Sequence, residues 1–90
     1  MDNQQSPKPK YIGDLEDART ALDQQRNLID EIQESGYERT YQRWGGERRK
    51  IDQFLTQFQR ASEKELAWAR SEILKKRVKI QSRIDALVKN

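Results

Sequence analysis

The sequence predicts an all-α fold, an antiparallel helical hairpin with a long second helix and a coiled-coil-like seam, completed by self-association or by a partner. Three observations lead there. Apolar residues recur at alternating spacings of three and four over two stretches, from Leu15 through Leu22 to Ile32 and from Ile51 through Leu66 and Ile73 to Leu87. Between them lies Gly45-Gly46, a pair of the poorest non-proline helix formers. Charge is also segregated: residues 11–38 carry eight acids against Arg19 and Arg26, whereas residues 70–90 carry seven Lys or Arg against Glu72 and Asp85. An antiparallel pair lays these segments side by side, so internal pairing accounts for much of the basic run.

Taken in order, residues 1–13 read as a flexible arm, because the first ten hold two prolines and no apolar residue after Met1. Gly13-Asp14 looks like a helix start, with Asp14 as N-cap and Glu16 and Asp17 in the first turn. The single domain then spans 14–90, with a first helix over about 14–35. Ser35-Gly36 has the composition of a helix C-cap. A short aromatic helix over 37–44 follows, with Tyr37, Tyr41 and Trp44 on one face. The turn is expected at Gly45 and Gly46, in preference to Ser35-Gly36. A helix over about 47–89, roughly 64 Å long, completes the hairpin, with a stutter near Leu66 to Ile73.

A reversal at Gly45-Gly46 places residue i opposite roughly residue 91 − i, which sets Tyr41 near Ile51, Ile32 near Phe58 and Leu22 near Ala69. In that register the chain beyond about residue 78 outruns the first helix. Ile80, Ile84, Leu87 and Val88 are then the candidate self-association residues, and a homo-oligomer is expected.

Composition removes whole function classes. Cysteine and histidine are both absent, which excludes disulfides, the usual zinc sites, thiol nucleophiles and imidazole bases. No enzyme activity and no cofactor are expected. Asp30 and Glu34 stand at i, i+4, but no third ligand accompanies them, so no metal site is assigned. No apolar run approaches the ~18 residues of a membrane span, and the first ten residues lack a signal-peptide core. A soluble, intracellular protein, free or within a larger assembly, is the expectation. With 33% apolar residues the core is thin, and a chain of this size usually needs a partner or a second copy.

Four groups of side chains are candidates for contact with that partner. Arg48, Arg49 and Lys50 fall where the second helix begins and its dipole repels cations; with Arg39 and Arg43 across the turn they make an anion- or partner-facing tip, unless Glu38, Glu47 and Asp52 neutralise them. Lys75, Lys76, Arg77, Lys79 and Arg83 make a basic face that suits nucleic-acid phosphate or an acidic protein surface. A membrane surface fits it poorly, because no Trp or Phe accompanies them. Tyr37, Tyr41 and Trp44 can pack on Phe54 and Phe58 or stack on single-stranded nucleic acid. Trp68 is expected as a packing or interface anchor.

Trp44-Gly45-Gly46 at the middle of a two-helix chain resembles the W-x-G hairpin turn of the WXG100, or ESAT-6-like, small secreted proteins. The resemblance implies a secreted helical hairpin. The chain departs from that family in lacking a Y-x-x-x-[DE] signal, in following the turn with Glu47-Arg48-Arg49-Lys50, and in its higher charge. No residue role carries over. The leading expectation is a non-catalytic helical assembly or adaptor module; the alternative is a nucleic-acid-binding hairpin using the cationic turn and the basic helix.

Overall fold

A computed structural model of the chain describes residues 10–89. Its described residues form four helices and no strand: α1 (Lys10–Ser35), α2 (Tyr37–Trp44), α3 (Arg49–Thr56) and α4 (Glu63–Lys89). α1 and α4 pack against each other as the long arms of an all-α hairpin, and α2 and α3 are folded into the connection at its closed end. The described residues span 51 × 25 × 16 Å.

α1 begins at Lys10 rather than at Asp14, so the expected arm reduces to residues 1–9, which lie outside the described residues. Gly13 sits inside the helix, where glycine costs about 1 kcal/mol relative to alanine. Its neighbour Ile12 is only 3% exposed, and burying such a side chain contributes roughly 1.5–3 kcal/mol, enough to hold this turn helical.

The first reversal is at Gly36. Its φ of 92° and ψ of 157° belong to a region that L-residues essentially do not occupy, and it is the sole positive φ among the described residues. The Gly36 N–H donates to the Ile32 carbonyl at 2.8 Å, closing α1. The Gly36 carbonyl accepts both the Thr40 N–H at 3.2 Å and the Thr40 Oγ1 hydroxyl at 3.0 Å, with Thr40 fully buried. α2 therefore turns back onto α1, and the Trp44 indole N–H reaches the Glu31 carboxylate at 3.0 Å.

Gly45-Gly46 makes the next turn, between α2 and α3, and the expectation that it is the main reversal of the hairpin is corrected accordingly. Gly45 is helical, with φ of −60°, and is needed for space: a Cβ there would come within 2.5 Å of the Tyr41 ring. Across this turn the Tyr41 hydroxyl donates to Asp52. The single helix expected over 47–89 is also corrected, because residues 57–62 leave the helix between α3 and α4. The cause is a capping box, in which the Glu65 N–H donates to Ser62 Oγ at 3.1 Å and the Ser62 N–H to Glu65 Oε1 at 2.8 Å. It starts α4 as a separate helix.

With 37–62 withdrawn into this insert, α4 pairs with α1 in a different register. Arg19 meets Gln81, Asp23 meets Arg77 and Asp30 meets Arg70, so facing residue numbers sum to 100 rather than 91. The last turns of α4 then lie beside the first turns of α1. This corrects the premise that residues beyond 78 outrun the first helix: Ile84 is buried, Ile80 and Leu87 are half-buried, and Val88 stays exposed.

The main core gathers at the closed end. Leu28, Ile29 and Ile32 of α1, Ile51 and Leu55 of α3, and Leu66 and Ile73 of α4 form one buried cluster. Tyr37, Trp44, Phe54 and Phe58 pack on its edge, whereas Tyr41, on the same expected aromatic face, stays exposed. Tyr37 stacks on Tyr41 at 5.7 Å between ring centroids, and Phe54 meets Phe58 edge-on at 5.1 Å.

Candidate docking surface

The charged candidates divide into those that serve the hairpin and those left to solvent. Arg77, at a seam position, donates from Nε and Nη2 to the two carboxylate oxygens of Asp23. This hydrogen-bonded guanidinium holds the Asp23 carboxyl below its ordinary range, against a partial desolvation that works the other way, and Arg26 and Arg19 add to the lowering. Arg70 engages Asp30, and the Asp30/Glu34 pair is thus not a free cation site. These pairs are about one-third exposed, so their worth lies in fixing register more than in stability.

Arg39 and Arg43 line a shallow depression with Glu31, Ser35 and Gln42, where Arg43 approaches Glu31 at 3.7 Å. Arg48, Arg49 and Lys50 are exposed at the start of α3, with Arg48 as its N-cap and no side-chain capping bond. The expected neutralisation by Glu38, Glu47 and Asp52 is absent: among the described residues these three cations make no ion pair, and Asp52 accepts from Tyr41 instead. Among these cations, only Arg39 and Arg43 line that depression. The cations do not sit on a tip at the end of the hairpin, because Trp44 rests against Glu31 and neighbours Gln24 and Asn27, placing the Gly45-Gly46 turn along the flank of α1.

The basic run of α4 is likewise split. Arg77 is drawn into the hairpin, and Lys75 pairs with Glu72 at 3.3 Å. Lys76, Lys79 and Arg83 remain without ion pairs among the described residues and stand on the rim of a trench of about 390 Å³. Its floor is Ala18, Ala21 and Leu22 of α1 with Ile80 of α4. The three-four spacing places Leu22 in the seam; in the observed register Leu22 and Ala18 line the groove beside the cations.

Trp68, expected as an anchor, is 68% exposed and so packs little within the chain. It borders a depression shared with Phe58, Ala61 and Ala69, lying between the 57–62 connection and α4. Ala69 and Lys76 are two helical turns apart on one face of α4, so this depression and the trench follow one another about 10 Å apart along the same side. Val78 and Val88 add exposed apolar surface elsewhere on the helix.

Among the described residues no helix is long and apolar enough to cross a membrane, and no group of three or more potential metal ligands occurs. No family model, curated protein or solved structure matches this chain. The resemblance of Trp44-Gly45-Gly46 to the WXG100 turn accordingly rests on that triplet, whose glycines join two short helices rather than the two long arms.

Proposed function

We propose that this chain is a non-catalytic helical module that docks on a protein partner, or on a second copy of itself, through the side of α4 that carries Trp68 and the trench. The observation that carries the reading is Trp68. A 68% exposed indole beside Phe58 and Ala69 contributes little to the fold, whereas tryptophan at the centre of an interface is among the residues with the largest effect on binding. Trp68→Ala is expected to change folding stability by under ~0.5 kcal/mol, as a surface substitution, while weakening partner or self-association by roughly 2 kcal/mol, about thirtyfold. Sedimentation equilibrium and quantitative co-purification on wild type and variant measure this. Wild type and Trp68→Ala that are equally monomeric and retain the same partners with the same affinity would sink the reading.

A second reading, nucleic-acid binding, is favoured by the unpaired Arg48, Arg49 and Lys50. Replacing all three with Gln removes cations from the positive end of α3, so stability is expected to hold or rise slightly. On this reading filter binding of single-stranded DNA falls steeply with salt, and the triple variant shows a shallower slope by up to about two units. Absence of retention at low salt removes it.

A further inference from the structure

The trench between α1 and α4 has the form of a helix-packing groove whose third helix stops short. At the closed end α3 supplies Ile51 and Leu55 to the cluster with Leu28, Ile29 and Ile73. Leu22 belongs to both regions, packing on the edge of that core and lining the trench. The apolar floor therefore continues toward the open end, past the reach of the eight-residue α3. Resting on the docking reading above, we infer that the trench receives a short acidic amphipathic helix from a protein partner, which lies on it as an added helix of the bundle.

The rim selects the chemistry. Lys76, Lys79 and Arg83 stand at i, i+3 and i+7 on one side of α4, unpaired among the described residues, above a floor that is almost wholly apolar. An occupant needs apolar side chains at helical spacing for Ala18, Ala21, Leu22 and Ile80, and carboxylates along one flank for the three cations. Two helical turns of contact, about 11 Å, suffice to span residues 76–83. The chain's own residues 1–9 meet neither need, with no apolar residue after Met1 and Asp2 as their one acid. Two copies meeting trench to trench about an axis across the helices would set the cationic rim against its own counterpart. Phosphate backbones would leave the apolar floor without a match, and this concave face carries no Trp or Phe to insert into lipid.

The test uses the full chain and a synthetic helical peptide of about four turns, with Leu at i, i+3, i+7 and i+10 and Glu on one flank. Fluorescence anisotropy compares it with a Lys-for-Glu version and a scrambled sequence, and amide chemical shifts locate the site. The acidic peptide is expected to bind at least about tenfold more tightly than the Lys version, with shifts centred on residues 18–22 and 76–83. Lys79→Glu with Arg83→Glu should reverse that preference. Equal binding of all three peptides, or acidic-peptide binding that ignores the rim reversal, overturns the assignment. So does a wild-type dimer dissolved by the rim reversal, or rim-dependent binding to phosphatidylserine vesicles with none to the peptide. Each of these leaves the docking reading standing if association still depends on Trp68, and only loss of that dependence removes both.

Discussion

Leu55→Ala is expected to remove about 2–5 kcal/mol of folding free energy, the largest effect of any single substitution considered for this chain. Leu55 is 0% exposed and sits in the cluster that joins α1, α3 and α4. α3 has eight residues, too few to be helical by itself in water, so its order depends on what Ile51 and Leu55 bury. A domain of this size holds roughly 5–13 kcal/mol in all, and losing 2–5 leaves the closed end near the edge of stability. Urea denaturation followed by circular dichroism measures it, with Val88→Ala, at an exposed site, as a control expected within ~0.5 kcal/mol of wild type. If Leu55→Ala melts with the wild-type midpoint, α3 is not part of the cooperative core, and the hairpin stands on α1 and α4 alone.

The seam of α4 is legible in the sequence almost residue by residue: Leu66, Ile73 and Ile84 are buried and Ala69, Arg77, Ile80 and Leu87 are half-buried, as the three-four spacing requires. What apolar spacing cannot fix is register. Several slips of one amphipathic helix along another still set leucine against isoleucine, and matching apolar to apolar around Gly45-Gly46 selects one of them. The structure adopts another, marked by Arg19–Gln81, Asp23–Arg77 and Asp30–Arg70, where a wrong slip would separate charges rather than methyl groups. Acidic α1 facing basic α4 was readable as a tendency; which acid meets which base was not, because α2 and α3 had first to be taken out of the hairpin.

One signal for that removal is plain in the letters. Ser62-Glu63-Lys64-Glu65 is a capping box, and drawing one unbroken helix over 47–89 hides it. The candidate surface shows the same division. Lys76, Lys79, Arg83 and Trp68 are visible as residue types in a helix. The separation of the three cations from Arg77 and Lys75, and their meeting with Ala18 and Ala21, depend on the register of α1 against α4, which local sequence does not encode. Thr40 carries no signal beyond its position four residues after Gly36, yet it is fully buried and bonds the carbonyl of the turn.

Gly36→Ala is expected to cost about 1–3 kcal/mol, lowering the melting temperature by roughly 5–20 °C in a domain of this size. The cost comes from the backbone alone. At φ 92°, ψ 157° a Cβ meets no neighbouring atom in space, so packing does not oppose it, but the conformation itself is closed to alanine. Moving Gly36 out of that conformation shifts the carbonyl that Thr40 binds twice and re-aims α2, whose Trp44 then leaves Glu31. The mid-chain pair should behave differently. Gly46→Ala meets no atom within 4 Å and needs no positive φ, so it is expected to be neutral or to stabilise by up to ~1 kcal/mol through the unfolded chain. Gly45→Ala is expected to destabilise as well, because its Cβ would come within 2.7 Å of the Tyr41 backbone carbonyl besides meeting the ring, so moving the ring off Asp52 does not make enough room. Thermal melts of the three variants rank them. An order in which Gly46→Ala is the most damaging and Gly36→Ala harmless would place the obligatory glycine back at the middle of the chain. It would also restore a hairpin in which Ile80, Ile84, Leu87 and Val88 lie beyond the first helix.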